Sequence, residues 1–167
     1  MLDENNVEMG QRPKLKELEE NSKRYNVLYL DDDEVMLENF QAIYSKEFTI
    51  FTTDCHHKAK EHIRNNDIHI IISDQRMPEI TGVEFFESIV KQFPDPIRIL
   101  LTAFTDVEVL INAINHGHVY QYIRKPYKHD YMKKMLNDAG EIYHRRKNST
   151  SLNTTCQIEI AERFDQQ

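Results

Sequence analysis

Five short apolar runs punctuate the chain, at residues 27–30 (VLYL), 48–51 (FTIF), 68–72 (IHIII), 97–101 (IRILL) and 119–123 (VYQYI). The first, third and fourth are nearly continuous and rich in β-branched or aliphatic residues, the pattern of strands buried on both faces. Arg98 alone interrupts the fourth. Between the runs, apolar residues recur at helical spacing. Met36, Phe40, Ile43 and Tyr44 form one such set, Val83, Phe86 and Val90 a second, and Val107, Leu110, Ile111 and Ile114 a third. Residues 56–64 carry only Ala59 and Ile63 as an apolar pair. A last helix is expected from about Tyr127 to Arg146, with Tyr131, Met135, Ala139 and Ile142 on one face. Alternation of strands and helices predicts an α/β fold, a parallel sheet covered on both sides. Right-handed crossovers follow from the chirality of such connections.

The flanks read differently. Residues 1–24 are polar, with a short helix expected in KLKELEENSK and a loose arm elsewhere. Residues 147–167 read as a linker and tail with one amphipathic scrap. The folded domain is therefore placed at residues 25–146.

Composition narrows the functional classes. The chain has 167 residues, 28 acidic and 21 basic, for a net charge of −7. That balance disfavours non-specific binding to nucleic acid or to an anionic membrane. No apolar run is long enough to span a bilayer, and the polar start does not resemble a signal peptide. The two cysteines, Cys55 and Cys156, share no framework spacing, which points to a reducing, cytoplasmic setting. Cys55, His56, His57 and His62 lack a second pair at zinc spacing and read as an exposed helix face.

The chemistry collects at the ends of the apolar runs, where open α/β sheets place their crevice. Asp31, Asp32 and Asp33 follow the first run, Asp74 the third, Thr102 the fourth and Lys125 the fifth. Adjacent carboxylates repel by roughly 4 kcal/mol per pair at about 4 Å and an effective dielectric near 20. A hard cation such as Mg²⁺, bound through oxygen alone, relieves that repulsion. A carboxylate left free can act as a nucleophile and form an acyl phosphate, with the lysine and hydroxyl offsetting phosphoryl charge. The set is consistent with phosphoryl transfer onto an aspartate. Asp33 and Glu34 suit the positive end of the following helix.

Four pieces, VLYLDDDE, IIISDQRMPEITGVEF, ILLTAF and YIRKPY, occur in order at strand ends. Together they resemble the receiver domain of two-component response regulators, over about residues 25–146. The resemblance implies a doubly wound, five-stranded parallel sheet of order 2-1-3-4-5, the flavodoxin-like receiver fold. It implies a switch protein, not a turnover enzyme, that accepts a phosphoryl group on Asp74. Asp31, Asp32 and Asp74, with the backbone carbonyl of Arg76, would hold Mg²⁺, Asp32 being the expected direct ligand. Thr102 would be the switch hydroxyl, Lys125 the partner of the phosphoryl oxygens and Tyr122 the aromatic switch. The donor would be a sensor histidine kinase or a phosphotransfer protein. A homodimer would use the face of the helix expected over 107–114, the fifth strand and the last helix.

Finer details follow. The bond between Lys125 and Pro126 lies where the family uses a cis peptide, which costs only about 0.5–1 kcal/mol before proline. Met77, Pro78 and Gly82 suit a turn ahead of the next helix. Phe104 is expected to screen the phosphoryl group and slow its hydrolysis, so Phe104→Ala should shorten its lifetime, and an unchanged lifetime would overturn that role.

Two other readings stay open on sequence alone. VLYLDDDEV also fits the D-x-D-x-[TV] motif of haloacid-dehalogenase-like phosphatases, with Asp31 as nucleophile. That enzyme needs a further acidic pair on a strand end beyond the lysine. A receiver-like binding module that is never phosphorylated is the other, if Arg76 or Phe104 blocks the site.

Overall fold

The computed structural model describes residues 24–103 and 119–164, with side chains described to residue 149. The expected N-terminal helix, the helix over 107–114 and Phe104 lie outside the described residues. Five strands form one sheet: β1 (Asn26–Leu30), β2 (Thr49–Thr53), β3 (Ile70–Asp74), β4 (Ile97–Thr102) and β5 (Gln121–Arg124). All pairings are parallel and the order is 2-1-3-4-5, as the sequence implied. Four helices are described, α1 (Glu34–Tyr44), α2 (His56–Asn65), α3 (Gly82–Val90) and α4 (His129–Phe164).

The side-chain alternation of the strands divides the core in two. Val27, Tyr29, Ile70, Ile72, Ile97, Ile99 and Leu101 face α1 and α4. Leu28, Leu30, Ile71 and Leu100 face α2 and α3. The central strands β3 and β4 are buried along their whole length, while β5 at the edge buries only Ile123. This explains why the third and fourth runs read so clearly as strands and why the boundaries of the second and fifth shift by a few residues.

Two helices bury only part of the expected stripe. In α1 the buried set is Leu37, Phe40 and Tyr44, whereas Met36 and Ile43 are each 43% exposed. In α4 the buried hydrophobic residues are Met132, Leu136, Ala139 and Tyr143, the expected Met135 and Ile142 pack partly buried against them, and Tyr131 is exposed. Both helices carry two overlapping apolar stripes one residue apart, so spacing alone leaves the rotation undecided. A third difference concerns the tail. The helix continues past Arg146 to Phe164, where a linker was expected. Neither proline nor glycine occurs between Glu141 and Phe164 to stop it.

Local signals fix the helix starts near the crevice. Asp33 caps α1, accepting from the amides of Val35 (2.9 Å) and Met36 (3.3 Å). Thr81 and Glu84 form a reciprocal capping box at the start of α3. Gly82 is required there by close packing and not by turn geometry. A Cβ on it would collide with the backbone carbonyl of Asp74 and lie 2.6 Å from Leu100 Cδ1. The missing side chain lets α3 sit directly on the end of β3. No helix among the described residues is long and apolar enough to cross a membrane.

Candidate functional site

The sheet register assembles the crevice. Leu30 pairs with Ser73, so Asp31 and Asp74 follow on neighbouring strands. Asp74 pairs with Leu101 and Thr102 with Arg124, which carries the row on to Thr102 and Lys125. Four of the residues singled out from sequence thus stand along one edge, each contributed by a different strand end.

Lys125 joins the row. Its Nζ lies 2.8 Å from Asp31 Oδ2 and 2.6 Å from Asp74 Oδ1. Burial pulls its ammonium toward lower pKa, but the hydrogen bonds to Asp31 and Asp74 outweigh this and leave it raised above the ordinary lysine value. The peptide bond between Lys125 and Pro126 is cis, as the resemblance implied. Asp74 also accepts from the amide of Arg76 at 2.6 Å, through Oδ2. Its carboxylate is therefore held at both oxygens while its residue stays 8% exposed.

Asp31 is held still more closely. Its Oδ1 accepts from the amide of Asp33 at 3.0 Å, and its Oδ2 accepts from both Lys125 and the hydroxyl of Tyr29. Tyr29 was hidden in the sequence as one member of an apolar run. The signal that reveals it is its spacing of two from Asp31, which puts both side chains on one face of β1. Asp32 points the other way, to solvent, beside a shallow pocket of about 280 Å³ shared with Asp54, Cys55 and residues 77–80.

Thr102 is buried, at 4% exposure, on the end of β4. Tyr122 lies two residues earlier than Arg124 on edge strand β5 and is 42% exposed, so it is not a core residue in this conformation. Beside Lys125 an apolar groove of about 630 Å³ opens between α1 and the chain after β5, lined by Met36, Ile43, Tyr44, Pro126 and Tyr127.

The donor set bears on a cation. Among the described residues no three His, Cys, Asp or Glu side chains form a ready ligand cluster. A closed, all-side-chain cage is therefore excluded among them. Oxygen donors with room for water remain, which fits Mg²⁺: it keeps several waters and takes only one or two carboxylates. The phosphatase alternative fares worse. Beyond Lys125 the described chain enters α4 without another strand, so no strand end there carries the acidic pair that enzyme needs.

Comparison with known proteins agrees with this geometry. The family model for the response regulator receiver domain matches residues 27–137. The chain belongs to that family. The hydrogenase transcriptional regulatory protein HoxA of Cupriavidus necator is 31% identical over 119 residues, covering 71% of this chain and 25% of that protein. The chain thus spans a quarter of the length of that relative. The signal receiver domain of an HD domain-containing protein from Pseudomonas fluorescens superposes with a TM-score of 0.70 at 27% identity, covering 76% of this chain and 94% of that one. The beryllofluoride-activated NtrC4 receiver domain, solved as a dimer, gives 0.66 at 28% identity, over 71% of this chain and 98% of that one. The receiver fold and its membership of two-component signalling are thereby established, and the phosphatase reading falls.

Proposed function

We propose that the chain is a phosphorylation-activated receiver that accepts a phosphoryl group on Asp74. The observation that carries this reading is the bridge of Lys125 between Asp31 and Asp74, 2.8 and 2.6 Å away. In the transfer, a carboxylate oxygen of Asp74 forms a bond to phosphorus. The donor's bond to phosphorus breaks and its electron pair leaves with the donor nitrogen, the imidazole of a sensor histidine kinase or phosphotransfer protein. Lys125 then has the acyl phosphate's oxygens within reach, and the Arg76 amide holds the other Asp74 oxygen. Asp32, Asp74 and the Arg76 carbonyl would hold Mg²⁺, with Asp31 contributing from beside them. When bound, the cation supplies charge neutralisation for the phosphoryl oxygens. The apolar groove beside Lys125 offers a donor protein a contact surface close to Asp74.

The response is a shift between two states. Thr102, buried at the strand end, would move toward the phosphoryl group, and exposed Tyr122 would turn inward into the space released. A homodimer is supported by the dimeric state of the activated NtrC4 receiver, and its face would be the helix expected over 107–114 with β5 and α4. The output partner, or an output domain elsewhere in a longer protein, would read that surface.

The test is direct. The protein is incubated with a small phosphodonor and Mg²⁺ and weighed intact. One phosphoryl adduct is expected, absent in Asp74→Asn and absent without the cation. An adduct that survives Asp74→Asn, or no adduct in the wild type, overturns the reading.

A further inference from the structure

Tyr29 is 1% exposed, its ring packed 4.7 Å from that of Phe40 in the core beneath α1. A hydroxyl at such depth needs a partner, and its partner is Asp31 Oδ2. Asp31, itself 2% exposed, takes three donors in all: Tyr29, Lys125 and the Asp33 amide. A carboxylate offers about four lone-pair sites, so roughly one is left. The two oxygens are not equivalent. Oδ2 shares its capacity between a neutral donor and the ammonium that also grips Asp74, while Oδ1 meets only a backbone amide. Tyr29 thereby fixes the rotation of the carboxylate and decides which oxygen stays open toward the crevice. It does so from a rigid position, since a buried ring against Phe40 has little freedom to follow a moving carboxylate.

We infer that Tyr29 is a positioning residue of the acidic site, acting through Asp31 to set the site's affinity for a divalent cation. The inference rests on the proposed cation site and concerns a residue that touches neither cation nor phosphate. Groups that hydrogen-bond a carboxylate near a metal orient it, and their loss typically weakens binding by about 10–100-fold.

The experiment measures Mg²⁺ binding to the full chain by calorimetry for wild type, Tyr29→Phe and Asp32→Asn. Phenylalanine keeps the ring in its packing place and removes only the hydroxyl. Tyr29→Phe is expected to weaken binding about tenfold, with the near-ultraviolet circular dichroism of a folded protein. Asp32→Asn is expected to lose binding. A second readout is spectroscopic. The chain contains no tryptophan, so its near-ultraviolet absorption is dominated by tyrosine. Mg²⁺ should perturb the wild-type tyrosine absorption, and that difference spectrum should vanish in Tyr29→Phe. Wild-type affinity in Tyr29→Phe, with binding lost in Asp32→Asn, overturns the role of Tyr29 and leaves the cation site standing. No tyrosine perturbation in the wild type on saturation with Mg²⁺ also overturns it. Undiminished binding in Asp32→Asn removes the cation site and the inference together.

Discussion

Each end of the sheet carries a tyrosine hydroxyl bonded to an aspartate. At the carboxyl ends of the strands, Tyr29 donates to Asp31, which is buried and shared with Lys125. At the opposite end, Tyr143 of α4 donates to Asp67 at 3.0 Å, and the side chain of Asp67 is 76% exposed. Around the second pair the network is built on backbone and aromatic groups. The Asn26 amide donates to His69 Nδ1 at 2.7 Å, the His69 amide returns to the Asn26 carbonyl at 3.0 Å, and the rings of Tyr25, Tyr143 and His144 pack around His69. Around the first pair two carboxylates converge on one ammonium, with Asp32 nearby. The same chemical pair thus stands in two settings, one where water reaches the carboxylate and one, beside the proposed site, where it does not. Carboxylates gathered in a partly buried crevice are costly, which suits the end of the sheet where the proposed cation and phosphoryl group would sit.

The largest stability effect should therefore fall at the end without the site. Arg98 enters β4 among apolar neighbours, is 6% exposed, and directs Nη1 to the carbonyls of Pro96 (3.0 Å) and Pro94 (3.2 Å). Arg98→Met keeps most of the stem and leaves the buried Pro96 carbonyl without this donor. Denaturant unfolding should show a loss of about 2 kcal/mol, the size of a hydrogen bond to a charged group, and phosphoryl acceptance at Asp74 should persist. Asp74→Asn should behave in the opposite sense. The amide still accepts from Arg76, Lys125 keeps Asp31, and one repulsive charge is gone. Unfolding midpoints within about 1 kcal/mol of wild type are expected, alongside complete loss of the phosphoryl adduct. If Asp74→Asn were the more destabilised of the two, the division of labour between the ends would be wrong.

Much of this division was legible in the chain before any coordinates. The strand ends could be read because an apolar run that stops at Asp, Thr or Lys announces both the strand and its functional edge. Asp33 could be read as a cap because its position ahead of a helical stripe has one common physical use. The strand order came from resemblance, since periodicity does not encode which run neighbours which. Three features escaped for distinct reasons. Part of the rotation of α1 and α4 escaped because two stripes compete on each helix. Tyr29 escaped because a buried aromatic in a strand looks like any core residue until its hydroxyl finds Asp31. The reason for Arg98 escaped because its partners are backbone carbonyls, which carry no mark in a sequence.

The finest test of the comparison is alkaline. Burial first, then the bond to Asp67, pushes the Tyr143 phenol up to about 12. A phenol whose folded pKa lies above its unfolded value of about 10 is favoured in its protonated form by folding. Its contribution is complete below about pH 10 and is lost as pH rises through the folded value. Tyr143→Phe removes that titration, so the decline of stability between about pH 10 and 12 should become shallower in the variant than in the wild type. At neutral pH the loss should be small, because exposed Asp67 recovers water as a partner. Urea midpoints taken at neutral and alkaline pH for both proteins measure the change in slope, and an identical slope would show that Tyr143 does not contribute. The same variant should leave Mg²⁺ affinity untouched, in contrast to Tyr29→Phe, since the sheet separates the two tyrosine–aspartate pairs and only one of them borders the crevice.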